Sequence, residues 1–165
     1  MIFMSSGLVL IDLMPRIVAL PLAPHPGEDV LDRCRALAAA FRAQGRPVVL
    51  VRVERPNVAR QPAGSELAPG LEEPGDTVVV KRTIGAFHDT DLDARLRERG
   101  LTTLVFGGLV TSMGVESTAR AASDHGYDLE FVADAMSDRT AEEHDFAVRR
   151  TFPRFGTVRN TADYL

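Results

Sequence analysis

The stretch from Leu104 to Arg120 limits the possible folds more than any other part of the chain. Leu104-Val105-Phe106 is an apolar strand, and Gly107-Gly108 follows it as a turn. A run of small residues then begins at once, and the spacing predicts a helix over Gly114–His125 with Gly126 as its C-cap. A strand that feeds straight into a helix belongs to a parallel α/β sheet. Its turn lies at the carboxyl edge of that sheet, where ligands bind. The unpaired N–H groups of a helix start favour an oxyanion or carboxylate at that place.

The remaining segments repeat the strand–helix alternation. Gly7–Leu13 is an apolar run with an acid near its end. Asp29–Gln44 carries Val30, Leu31, Cys34, Leu37, Ala38 and Phe41 on one helical face, and Gly45 stops it. Val48–Val53 and Thr77–Lys81 are β-branched strands, and Thr102–Gly107 is the fourth. Asp91–Arg99 is a short helix between the third and fourth strands, capped by Asp89 or Thr90. Tyr127–Val132 is a fifth strand, and Thr140–Arg150 a helix opened by a capping-box pattern. A short strand near Gly156–Val158 and a truncated helix over Thr161–Leu165 complete the chain. This order implies βαβ units in one domain over residues 1–165. The expected architecture is a three-layer α/β/α sandwich with a mostly parallel six-stranded sheet.

Two segments interrupt the rhythm: the proline-rich Pro15–Pro26 loop and the aperiodic Glu54–Asp76 loop. Both follow strand ends and should overhang the ligand edge. A net charge of −4 with both signs interspersed offers no basic patch for nucleic acid. No apolar run is long enough to span a bilayer. Met1–Ser6 lacks a basic stretch and cleavage site, so a cytoplasmic protein is expected. A single cysteine excludes an internal disulfide and a cysteine-based metal cluster.

Four short motifs stand in register with the strand ends. They are Leu10-Ile11-Asp12-Leu13-Met14; Val80-Lys81-Arg82-Thr83-Ile84-Gly85-Ala86-Phe87 followed by Thr90 and Leu92; the Gly107–Gly114 turn; and Ala133-Asp134-Ala135-Met136-Ser137-Asp138. Together they resemble the isochorismatase-like hydrolases, from Leu8 to Tyr164. The resemblance implies a catalytic set of aspartate, lysine and cysteine, matching Asp12, Lys81 and Gly114 here. It also implies a non-proline cis peptide at Leu109–Val110 and a homodimer or higher homo-oligomer.

Gly114 has no side chain with which to attack a carbonyl, so thiol acyl transfer is excluded at that position. Ser112 is two residues off register and Ser117 lies one turn into the helix. Cys34 sits among apolar neighbours and reads as a small core residue. The four histidines are scattered, with none between Glu54 and Asp76, and no metal-ligand spacing is present. No cofactor is expected.

Asp12, at the end of an apolar strand, is partly desolvated, and Lys81 is the natural cation beside it. The functional reading is an acid/base carboxylate held by an ammonium; the plain structural one is a strand-end ion pair. The expected binding residues are Gly114, Met113, Val110, Thr111, Arg82, Met14 and Phe87. Arg82 offers an anion a bidentate partner. Phe87 reads as core packing ahead of a substrate wall, and Thr111 also serves as a bond across the turn.

The resemblance extends to isochorismatases proper, which hydrolyse a vinyl ether and carry glycine where the amidases carry cysteine. That chemistry needs a carboxylic acid and no covalent nucleophile. The expected partner is therefore a small molecule, with a small carboxylate as one candidate. Met14 stands in place of a family glutamine, and Ile84 and Gly85 in place of an aromatic and a serine. The pocket is thus expected to be more apolar, with a different substrate or none. Two other readings remain: a binding or scaffold homologue without turnover, and an Asp12-activated water attacking an amide or ester.

Overall fold

The computed structural model describes residues 5–165. The part of the N-terminal reading that falls on Met1–Met4 lies outside the described residues. Six strands form one sheet in the order β3-β2-β1-β4-β5-β6, and every neighbouring pair is parallel. They are β1 (Ser6–Ile11), β2 (Val48–Val53), β3 (Thr77–Lys81), β4 (Thr103–Leu109), β5 (Asp128–Ser137) and β6 (Gly156–Arg159). The order reverses at β1, so the carboxyl ends of β1 and β4 flank the switch point of a doubly wound α/β fold.

Alternation along the strands divides the core. Leu8 and Leu10 of β1 pack with Leu50 and Val105 against α2 (Gly27–Ala43). Val9 and Ile11 face the opposite layer with Val51, Phe106 and Phe131. That layer contains α3 (Leu92–Glu98), α4 (Glu116–Asp124) and the segment that follows α5 (Ala141–Phe146). Phe131 stacks on Phe152 with ring centroids 4.0 Å apart. All six apolar residues read as one face of α2 are buried, so its amphipathic pattern alone accounts for its docking.

Four elements depart from the expected boundaries. A short helix, α1 (Pro15–Val18), occupies the start of the Pro15–Pro26 loop, since proline suits a first helical turn. The helix after β4 begins at Thr111, not Gly114. Thr111–Val115 forms a π turn in which the Val115 N–H reaches the Val110 carbonyl at 3.3 Å. The fifth strand runs on to Ser137 because a register shift between Phe106 and Gly108 lets it continue beside Leu109. The Thr140–Arg150 helix is α only to Phe146, then a π turn over Ala147–Thr151. Thr140 does cap it: its Oγ1 accepts from the Glu143 N–H at 3.2 Å and donates to Glu143 Oε2 at 3.0 Å. No helix of the described residues is long and apolar enough to cross a membrane.

Gly108 shows what lets β1 and β4 pair so closely at the switch point. Its φ is +116°, and an added Cβ would collide with the backbone of Ile11. Only glycine meets both conditions.

Candidate active site

β1 is followed at once by an aspartate that turns the chain out of the strand. Asp12 has φ +52°, a region that Asp tolerates better than bulkier residues. Its backbone N–H donates to the Val51 carbonyl and its own carbonyl accepts from the Met14 N–H, both at 2.9 Å. This tight exit carries the carboxyl group to the sheet edge, where it lines a cavity of about 710 Å³. Lys81 ends β3, two strands away, which is roughly 10 Å across β2. Only a long side chain spans that gap, and the Lys81 Nζ donates to Asp12 Oδ2 at 3.0 Å.

The ammonium is fixed at three points. Besides Asp12 it donates to the carbonyls of Thr83 at 3.2 Å and Ile84 at 2.8 Å, so its three protons are all used. Lys81 is only 2% exposed and Asp12 only 6%. The two carboxylate oxygens differ sharply: Oδ2 is bound to Lys81, and Oδ1 is buried with no hydrogen-bond partner among the described residues. Burial pushes the Asp12 carboxyl above its ordinary value, against the opposing pull of Lys81 and, more weakly, of Arg16. The setting thus makes Asp12 a weaker acid than an ordinary aspartate, and Oδ1 is the oxygen left without a partner.

The β4 turn supplies the facing wall. The Leu109–Val110 peptide is cis, and Val110, Ser112, Met113 and Gly114 line the cavity. A Cβ placed on Gly114 would lie 3.3 Å from Asp12 Oδ2 and 3.1 Å from Ile11 Cγ2. Position 114 therefore abuts the carboxylate itself, and a side chain there would be tight against Asp12, Ile11 and the Leu109 carbonyl. One feature differs from the expected open helix start. The Ser112 N–H already donates to Asp138 Oδ2 at 2.7 Å, while Asp138 Oδ1 accepts from the Arg139 N–H at 2.8 Å. The chain's own buried carboxylate takes the place at the turn that an external anion was expected to fill.

Of the expected binding residues, Gly114, Met113, Val110 and Arg82 line the cavity. Arg82 is largely exposed and stands 3.5 Å from Glu54. Met14, Thr111 and Phe87 lie outside the lining. Met14 is fully buried, and its Sδ accepts from the Val53 N–H at 3.5 Å. Thr111 Oγ1 pairs with His144 Nδ1 at 2.7 Å behind the turn. Phe87 stacks on His125 with centroids 4.8 Å apart. Cys34 is buried against the Ala135 carbonyl, and burial pushes its thiol up. The residues missed include Arg16, Ile17, Leu20, Asp138, Arg139 and Glu143, with Val53, Thr83 and Leu109 beside them. Among the described residues no group of His, Cys, Asp or Glu could hold a metal ion.

The isochorismatase domain model matches residues 6–163 of this chain. The chain belongs to the isochorismatase family. YecD, an isochorismatase family protein of Escherichia coli, is 37% identical over 98% of the chain and 95% of its own length. The crystallised isochorismatase family protein of Burkholderia thailandensis is also 37% identical, with a TM-score of 0.86 over 98% of this chain and 94% of that one. An N-carbamoylsarcosine amidase from Thermoplasma acidophilum superposes with a TM-score of 0.83 at 27% identity, covering 96% and 97% of the two chains. The isochorismatase family thus includes an amidase with this same fold.

Proposed function

We propose that this protein is a hydrolase of the isochorismatase family's cysteine-less branch, acting on a small molecule by acid/base chemistry through Asp12. The observation that carries the reading is the asymmetry of that carboxyl group, on a residue that lines the cavity: Oδ2 is fixed by Lys81, and Oδ1 is buried without a partner among the described residues. The glycine at 114, beside the carboxylate, offers no nucleophile.

A vinyl ether suits this arrangement. The proton leaves the Asp12 carboxyl group for the terminal vinyl carbon, whose π electrons form the new C–H bond. An oxocarbenium-like cation remains beside the Asp12 carboxylate, which stabilises it and takes a proton from the attacking water. The hemiketal then collapses to a carbonyl product and an alcohol. Lys81 keeps the carboxylate oriented throughout, and Gly114 gives the reacting carbon room. A small carboxylate bearing an enol ether is the favoured substrate, in a protein of the cytoplasm that works without a cofactor as a homodimer or larger homo-oligomer.

Turnover of a panel of enol-ether carboxylates, amides and esters tests the reading. Wild type and Cys34→Ser are expected to release alcohol from the enol ethers at equal rates, and Asp12→Asn to lose at least roughly a hundredfold. Equal zero rates for wild type and Asp12→Asn across the panel would instead support a binding homologue that has lost turnover. Amide or ester cleavage that depends on Asp12 would support the activated-water route.

A further inference from the structure

Arg16 stands on the cavity wall within α1, four residues after Asp12. The 54–76 segment clamps it. The Arg16 Nε donates to Ser65 Oγ at 3.1 Å, and Ser65 Oγ donates in turn to the Pro62 carbonyl at 2.6 Å. The Arg16 backbone N–H donates to the Gly64 carbonyl at 3.2 Å. Gly64 has φ +77°, and a Cβ there would lie 2.9 Å from the Arg16 nitrogen, so this close approach depends on glycine.

The far end of the guanidinium is unspent. Among the described residues no carboxylate pairs with Arg16, and its two terminal nitrogens donate to no protein acceptor. Arg42 shows the contrast: it is held by both oxygens of Asp76, by the Leu71 carbonyl and by Glu73. Arg82 in the same cavity is largely exposed and faces Glu54, and Arg139 is exposed. Arg16 alone is half-buried, fixed at Nε, and presents a planar two-nitrogen edge, the donor pattern that matches a carboxylate. Ile17, Leu20, Val53, Ile84 and Met113 supply apolar wall to the same cavity. A ligand that satisfies both must carry an anionic head on an apolar body.

We propose that Arg16 reads the carboxylate of the ligand on which Asp12 acts, and that Ser65 is the positioning residue that aims it. The assignment rests on the Asp12 cavity being the reaction site. It makes the Glu54–Asp76 segment part of ligand recognition through one hydroxyl.

Calorimetric titration with benzoate and pyruvate, and with their neutral isosteres benzamide and pyruvamide, tests it. Wild type is expected to bind the acids roughly tenfold or more tightly than the amides. Arg16→Gln is expected to lose that preference while leaving amide binding unchanged. Ser65→Ala should lose part of the preference and Ser65→Thr keep it, a rescue that a merely structural serine would not show. Arg82→Gln and Arg139→Gln should retain the preference. Failure of both acids to bind wild type would overturn the proposal, and so would a preference that survives Arg16→Gln or follows Arg82 or Arg139. An Arg16-dependent preference in a protein without turnover would remove the Asp12 chemistry and leave this assignment. Asp12-dependent turnover with no Arg16 dependence would do the reverse.

Discussion

Asp12 gathers three conditions at one residue: a left-handed backbone exit, a buried side chain, and a cation on only one of its oxygens. Burial alone raises a carboxyl's pKa, and a symmetric ion pair alone would lower it. Here the cation is itself spent on two carbonyls, so it anchors the group without cancelling the desolvation. His144 presents the opposite case. It is buried beside Thr111, and burial holds its pKa below the ordinary 6.5. The unfolded chain therefore takes up the proton first. The stability that neutral His144 confers is complete above about pH 6.5 and is lost as pH falls through the lowered value. Thermal denaturation between pH 7.5 and pH 5 should show a falling midpoint, with a shallower fall in His144→Gln. At this scale the proximity of Asp12 and Lys81 was legible, because both lie at strand ends and their charges are opposite. Arg16 was not, since a lone arginine in a proline-rich segment gives no sign that Nε will be clamped by a serine 49 residues away.

Among the elements, β1 and β4 determine where the cavity forms. Their close pairing depends on Gly108, whose positive φ and contact with the Ile11 backbone leave no room for a side chain. Gly108→Ala should destabilise the protein by roughly 3 kcal/mol or more, as read from urea denaturation at neutral pH. An unchanged midpoint would mean that the strands separate at little cost. The strands and α2 were legible from periodicity, since Val, Ile and Leu alternate across both layers. The π turn was not. Gly114 reads as a helix boundary, but the helix starts at Thr111, where Asp138, just past the end of β5, accepts the Ser112 N–H. β5 itself outran its expected end at Val132. The carboxylate of Asp134 is satisfied outside the sheet, by the Thr161 N–H and hydroxyl, each at 2.8 Å. A polar residue that reads as a strand end is thus held inside the strand by a partner distant in sequence.

On the scale of the whole molecule, all the charged chemistry collects at one edge of the sheet. Asp12, Lys81 and Asp138 come from three different strand ends or the segments just beyond them, and α1 brings Arg16 to the same place. The strand order makes this unavoidable: β1 and β4 lie side by side at the reversal, with β2–β3 winding to one side and β5–β6 to the other. The fold class was therefore legible from the strand–helix alternation, whereas the composition of the pocket depended on loops whose paths no periodicity describes. Burial at this edge raises the pKa of a carboxyl group beside a lysine, which suits it to exchange a proton with a ligand. NMR titration of the Asp12 carboxyl carbon in the folded protein tests that claim most directly. The account predicts a midpoint above 3.8, the ordinary aspartate value, and a further rise in Lys81→Met. A midpoint at or below 3.8 would show a plain ion pair and contradict it.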